Sequence, residues 1–111
     1  MTTLPDHCVP CRGDVPALSE AEATALHAAH APDWDLVFPR LRRRFELPDF
    51  RAALRWVNRV GMLAEEEDHH PDIHVLDYRF VELELTTHAV RGLHANDFVL
   101  ARKIDQLFRA G

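Results

Sequence analysis

The spacing of apolar and polar positions divides the chain into an irregular start and seven regular segments. Residues 1–17 carry Pro5, Pro10, Pro16 and Gly13 and show no period, so they read as an irregular arm, with a single domain over residues 18–111. From Leu18 the period is helical: Leu18, Ala25, Leu26 and Ala29 share a face, and Ser19 with Glu22 makes a capping box. Pro32 disfavours helical geometry at Ala31, which places the helix end near His30. Trp34 to Phe38 is a short strand candidate. Leu41 to Leu47 alternates cleanly, with Leu41, Arg43, Phe45 and Leu47 on one face and Arg42, Arg44 and Glu46 on the other. A tight turn near residues 38–40 joins the two.

Asp49 is a good N-cap for the longest helix, whose apolar stripe is Phe50, Ala53, Leu54, Val57, Val60, Gly61 and Ala64, widened by Trp56 and Leu63. It runs into Glu65-Glu66-Glu67, and Pro71 is expected to end it. Asp72 to Asp77 reads as a short strand and Tyr78 to His88 as the clearest one. Val81, Leu83 and Leu85 lie on one face of that strand, between Arg79 and Thr87. Tyr78, Phe80, Glu82, Glu84, Thr86 and His88 lie on the other, where Glu82 and Glu84 can pair with Arg42 and Arg44. Gly92 marks a turn, and the last helix begins at Asn96 or Asp97 with Leu100, Ala101, Ile104, Leu107 and Phe108 as its stripe. The order α-β-β-α-β-β-α predicts an α+β domain of two layers: a four-stranded antiparallel sheet with three helices on one face.

Composition narrows the function classes. The chain has 111 residues, 47 % of them hydrophobic, and a net charge of -5 with both signs interspersed. A small domain of this size gains from self-association, and the absence of a basic patch argues against a nucleic-acid surface. No apolar run approaches the ~20 residues that span a bilayer. Met1 to Asp6 lacks the basic and apolar regions of a secretory signal, so a cytoplasmic location is expected. Cys8 and Cys11 form a C-x-x-C pair, which can be half a zinc site or a redox dithiol. With no second pair of thiolates and no strand–helix pattern after it, an exposed or loosely packed arm is the favoured reading.

The chemistry concentrates in Glu65-Glu66-Glu67-Asp68-His69-His70-Pro71, with His88 arriving later. Imidazole can both take and give a proton near neutrality, so this set suits acid/base catalysis. Glu65 and Asp97 are candidates to orient an imidazole; Asp97 reads equally as a favourable charge in the first turn of a helix. Glu66 and Glu67 read as solvated surface. A metal reading would use His69, His70, His74 and His88 with Asp72, but adjacent histidines share a metal less readily than an i, i+4 pair.

One spacing is specific: Glu65, three residues, His69-His70-Pro71, six residues, Tyr78, nine residues, His88, eight residues, Asp97. With Leu63-Ala64 before it, Thr86-Thr87 beside His88, Gly92-Leu93, Phe98, Trp34 and the Phe45 to Phe50 stretch, it resembles the pterin-4a-carbinolamine dehydratases over residues 15–109. The resemblance implies the fold predicted above, enlarged by assembly into a homodimer or homotetramer. It implies dehydration of 4a-hydroxytetrahydropterin to quinonoid dihydropterin, in tetrahydrobiopterin recycling, with no metal or dissociable cofactor. It makes His69 and His88 the acid/base pair and His70 a catalytic and substrate-holding residue, with Glu65 and Asp97 as supporting candidates. Thr87 is a candidate substrate contact, and Trp34 reads either as a wall of the site that contacts substrate or as core or interface packing. The alternative on the same fold is a non-catalytic binding or assembly protein, a transcription cofactor or a RuBisCO/carboxysome assembly factor, which has no need of all three histidines. The chain departs from the pattern at His94, where relatives carry Ser or Thr; the last helix is therefore expected to lose its N-cap hydroxyl.

Overall fold

The computed structural model describes residues 3–10 and 13–111. Its elements are α1 (Glu20–His30), β1 (Asp35–Val37), β2 (Arg40–Glu46), α2 (Phe50–Glu67), β3 (Asp72–Leu76), β4 (Phe80–Leu85), a 3-10 turn (His88–Val90) and α3 (Ala95–Arg109). The four strands form one antiparallel sheet in the order β1-β2-β4-β3, and the helices cover one of its faces. The predicted α+β plan and its element order are those of the molecule.

Alternation decides which face is covered. Leu41, Phe45, Val81, Leu83 and Leu85 point inward and are at most 2 % exposed. They meet Ala53, Trp56 and Val60 of α2 and Phe98, Leu100 and Ile104 of α3 in one apolar cluster. Phe45, Trp56 and Phe108 pack edge to face or tilted, with ring centroids 4.7 to 5.1 Å apart. The opposite face carries a charged ladder. Arg42 lies across from Glu84 and Arg44 from Glu82, and Arg44 donates to Glu82 at 3.2 Å. Residues paired across antiparallel strands share a face, so the basic residues of β2 and the acidic residues of β4 attract each other across the strands.

Among the described residues Arg43 is the one cation on the inner face of the sheet. Its guanidinium stacks on Phe45 at 4.4 Å and reaches the buried Asp105 at 2.6 Å. Trp34 Nε1 donates to the same Asp105 oxygen at 2.8 Å. Burial pushes the Asp105 carboxyl up, and the Trp34 and Arg43 bonds pull against that.

Element ends differ from the predicted ones for local reasons. α2 stops before Pro71 is reached, because Asp68 adopts the left-handed conformation (φ 50°) and its N–H closes on the carbonyls of Ala64 and Glu65. Asp77 and Tyr78 are left-handed too and turn the chain, so β4 begins at Phe80 instead of Tyr78. It ends at Leu85; Thr87 makes only an isolated bridge to Gly92, and His88 opens the 3-10 turn instead of extending the strand. A Cβ on Gly92 would sit 2.9 Å from Ala17 Cβ, beside the bond from Leu18 N–H to the Leu93 carbonyl. The missing side chain at Gly92 therefore admits the incoming N-terminal segment. The Ser19–Glu22 capping box and the Asp49 N-cap are both present.

Asp105 ties Trp34, just before β1, and Arg43 of β2 to α3, so Asp105→Ala leaves a half-buried guanidinium and a buried indole N–H without their acceptor. A loss of about 2–3 kcal/mol is expected, read by urea unfolding monitored through tryptophan fluorescence.

Candidate active site

The left-handed stop at Asp68 releases the chain from α2 just before its two adjacent histidines. His70 precedes Pro71 and is biased toward extended geometry, and the two rings find different partners. His69 turns inward and its Nε2 lies 2.7 Å from Asp97 Oδ1. His70 stays exposed and its Nε2 lies 2.5 Å from Glu65 Oε2, also exposed.

Asp97 is the centre of the site. It is fully buried in the first turn of α3, and three donors converge on its carboxylate. His69 takes Oδ1; the Thr87 hydroxyl donates to Oδ2 at 2.7 Å, and the His94 N–H donates to Oδ2 at 3.0 Å. An ionised carboxylate only accepts, so His69 must present a proton on Nε2. Its Nδ1, with no partner among the described residues, is then the free lone pair. Asp97 thus holds the tautomer and the helix end together. His94 corrects the expectation of a lost cap: its ring Nδ1 accepts the Asn96 N–H at 3.0 Å, so imidazole replaces the hydroxyl and the capping box survives. α3 accordingly starts at Ala95.

The remaining predicted site residues are placed as follows. His88 is exposed and its ring has no hydrogen-bond partner among the described residues. It borders a hollow of about 250 Å³ with Pro39, Arg40, Thr86 and Arg91. His70, Glu65 and Pro71 border a different one, of about 630 Å³, against Val57, Gly61 and Met62 of α2. His70 and His88 therefore border separate hollows of the single chain. Thr87 is 4 % exposed, and its hydroxyl donates to the Asp97 carboxylate. Trp34 is 1 % exposed and bonded to Asp105, which is the core-packing one of its two readings. Among the described residues no three His, Cys, Asp or Glu side chains come together as a metal site requires.

Glu67 is the residue that sequence reading missed. Its side chain is 6 % exposed and serves the N-terminal arm. Oε1 accepts the Cys8 N–H at 2.7 Å; Oε2 meets His7 Nδ1 at 2.9 Å and Lys103 Nζ at 3.3 Å. Asn96, 2 % exposed, clamps Val9 from both sides, accepting its N–H at 2.9 Å and donating to its carbonyl at 2.7 Å. The described part of the arm is therefore docked, not loose. Burial and the nearby Glu67 push the Cys8 thiol up to about 12, and its Sγ lies 3.5 Å from the Asn96 carbonyl. Cys11 lies outside the described residues. The signal available in sequence was the third acid of the run, separated from Glu66 only by helical phase: Lys103 and His7 are too distant in the chain to flag it.

Comparison with known proteins places these features. The family model for pterin 4 alpha carbinolamine dehydratase matches residues 16–107. A Rubrobacter xylanophilus protein provisionally named pterin-4-alpha-carbinolamine dehydratase is 48 % identical over 101 residues, covering 90 % of this chain and 92 % of its own length. One from Halorhodospira halophila with the same provisional name is 44 % identical over 102 residues, with the same shares of 90 % and 92 %. In structure, the chain is similar to a Brucella melitensis protein described as a transcriptional coactivator/pterin dehydratase. The TM-score is 0.72 at 28 % identity, over 82 % of this chain and 97 % of that one.

The Glu67 anchor makes an acid-side prediction. Burial alone would raise its carboxyl, but the His7, Cys8 and Lys103 donors outweigh that and hold it down at about 2, against 4.5 ordinarily. A depressed folded pKa gives stability that is complete above the ordinary value and is lost as pH falls through the folded one. The melting temperature of the wild type should exceed that of Glu67→Gln at pH 7, and the gap should close between about pH 4.5 and 2. Thermal scans of both proteins across that range give the comparison.

Proposed function

The chain belongs to the pterin 4 alpha carbinolamine dehydratase family, and we propose on that premise that it removes water from a 4a-hydroxytetrahydropterin by histidine acid/base catalysis. The observation that carries the reading is the Thr87–Asp97–His69 chain of hydrogen bonds, which leaves one imidazole nitrogen as an oriented base. His88, exposed and unpartnered among the described residues, is the acid.

The reaction needs two proton movements. Protonated His88 gives its proton to the 4a hydroxyl, the carbon–oxygen bond breaks and water leaves. The ring nitrogen beside that carbon supplies the electron pair of the new C=N bond, and its proton passes to Nδ1 of His69. The Asp97 carboxylate, 2.7 Å from the other nitrogen, stabilises the imidazolium that forms. Exchange with solvent restores both rings. His70, held by Glu65 on the α2 side, stands outside these transfers and contributes binding at the rim.

Self-association completes the reading. The outward stripe of α2 leaves Phe50 49 %, Leu54 44 % and Met62 71 % exposed. That is a large apolar area for a helix face, and a second copy of the chain, in a homodimer or homotetramer, is its proposed cover. The cytoplasm is the proposed location; among the described residues no helix is long and apolar enough to cross a membrane.

Stopped-flow absorbance of freshly generated 4a-hydroxytetrahydropterin tests the activity: the protein should exceed the spontaneous rate, and a wild type no faster than buffer rules the enzyme out. His69→Ala, His88→Ala and Asp97→Asn should each lower kcat by about 10²-fold or more, with circular dichroism showing the fold retained. Leu54→Glu should shift the mass measured by light scattering toward the monomer.

A further inference from the structure

The arm's contacts with the domain include a group close to the proposed site. Cys8 is held by Glu67, two residues before His69. Val9 is clamped by Asn96, the neighbour of Asp97. Gly13 lies so close to the His88–Val90 turn that a Cβ there would be 3.2 Å from the Ala89 carbonyl oxygen. Each contact thus falls one or two positions from a residue of the proposed acid/base set. The anchors are themselves buried polar groups, and Asn96 spends both ends of its amide on one arm residue.

We propose that the docked arm is a working wall of the catalytic centre, excluding water from the Asp97–His69 pair, and that Glu67 and Asn96 are positioning residues for the reaction. The inference rests on the dehydratase reading above. A carboxylate–imidazole bond is strong and directional only where water does not compete for it. Asp97 has no exposed surface and the His69 side chain is 11 % exposed. With the arm detached, the α3 N-terminus and the end of α2 lose the backbone groups that now lie over them. Water then reaches the carboxylate, and His69 loses its fixed tautomer and direction. Reacting groups misplaced by about 1 Å can cost up to about 10²-fold in rate.

The experiment pairs kinetics with a reporter of arm docking. In a Cys11→Ser background Cys8 is the single thiol, and its burial makes it slow to alkylate with iodoacetamide. Glu67→Ala and Asn96→Ala should each speed Cys8 alkylation by more than about tenfold when compared at equal thiolate fraction. That fraction is set from each variant's own rate–pH profile, because removing the Glu67 charge also brings the thiol down. They should also lower kcat by about tenfold while KM changes less. Glu67→Gln, which still accepts the Cys8 N–H, should restore most of kcat. If Asn96→Ala fails to fold by circular dichroism, Glu67→Ala carries the comparison. Faster alkylation with unchanged kcat would show the arm to be packing only and overturn the inference. Cys8 as reactive in the native wild type as in urea would do the same. A wild type without dehydratase activity overturns the underlying reading as well, whereas an active wild type with fully active variants overturns this inference alone.

Discussion

A buried carboxylate holds this molecule's site together. Burying an ionised group is costly unless it is hydrogen-bonded on all sides, and Asp97 meets that demand with donors from three separate places: the end of α2, the bridge after β4 and the cap of α3. None of the three is free to move alone. The left-handed Asp68 must deliver His69, the Thr87–Gly92 bridge must deliver the hydroxyl, and the N-cap must present the His94 N–H. The residues that complete the fold at this corner are those that set the tautomer of the proposed base, so stability and the proposed catalysis share the same bonds.

The sheet supplies the platform by strict division of its faces. Its inner face is apolar except for Arg43, which is absorbed by Asp105 and the Phe45 ring, and its outer face is a ladder of opposite charges. α2 shows the opposite economy. Its stripe is wider than the sheet can cover, and the surplus remains open to solvent in the single chain. A helix with apolar residues on more than one side needs a second partner, which is the physical case for assembly.

Much of this architecture was legible along the chain. Period-2 and helical spacings located the four strands and three α-helices, the capping box at Ser19 and the cap at Asp49 marked two helix starts, and the period-2 faces set Arg42 and Arg44 as partners for Glu82 and Glu84. The histidine–aspartate spacing was specific enough to identify the family before any coordinates. These features are local, or depend on register alone, and a linear pattern encodes them.

The Glu65–Pro71 cluster shows where that legibility stops. Read as a string, it placed His69 and His70 together, ended the helix at Pro71 and left Glu67 to solvent. The folded chain stops at Asp68, sends the two rings to different partners, and buries Glu67 under an arm some sixty positions away in sequence. Trp34 and Thr87 likewise hydrogen-bond to buried carboxylates further along the chain, Asp105 and Asp97. The sequence by itself determined which elements form, which faces are apolar and which residue types carry the chemistry. Tertiary structure alone decided which atom of each side chain is spent and which is left free, because hydrogen-bond partners distant along the chain are chosen by packing, and packing has no period.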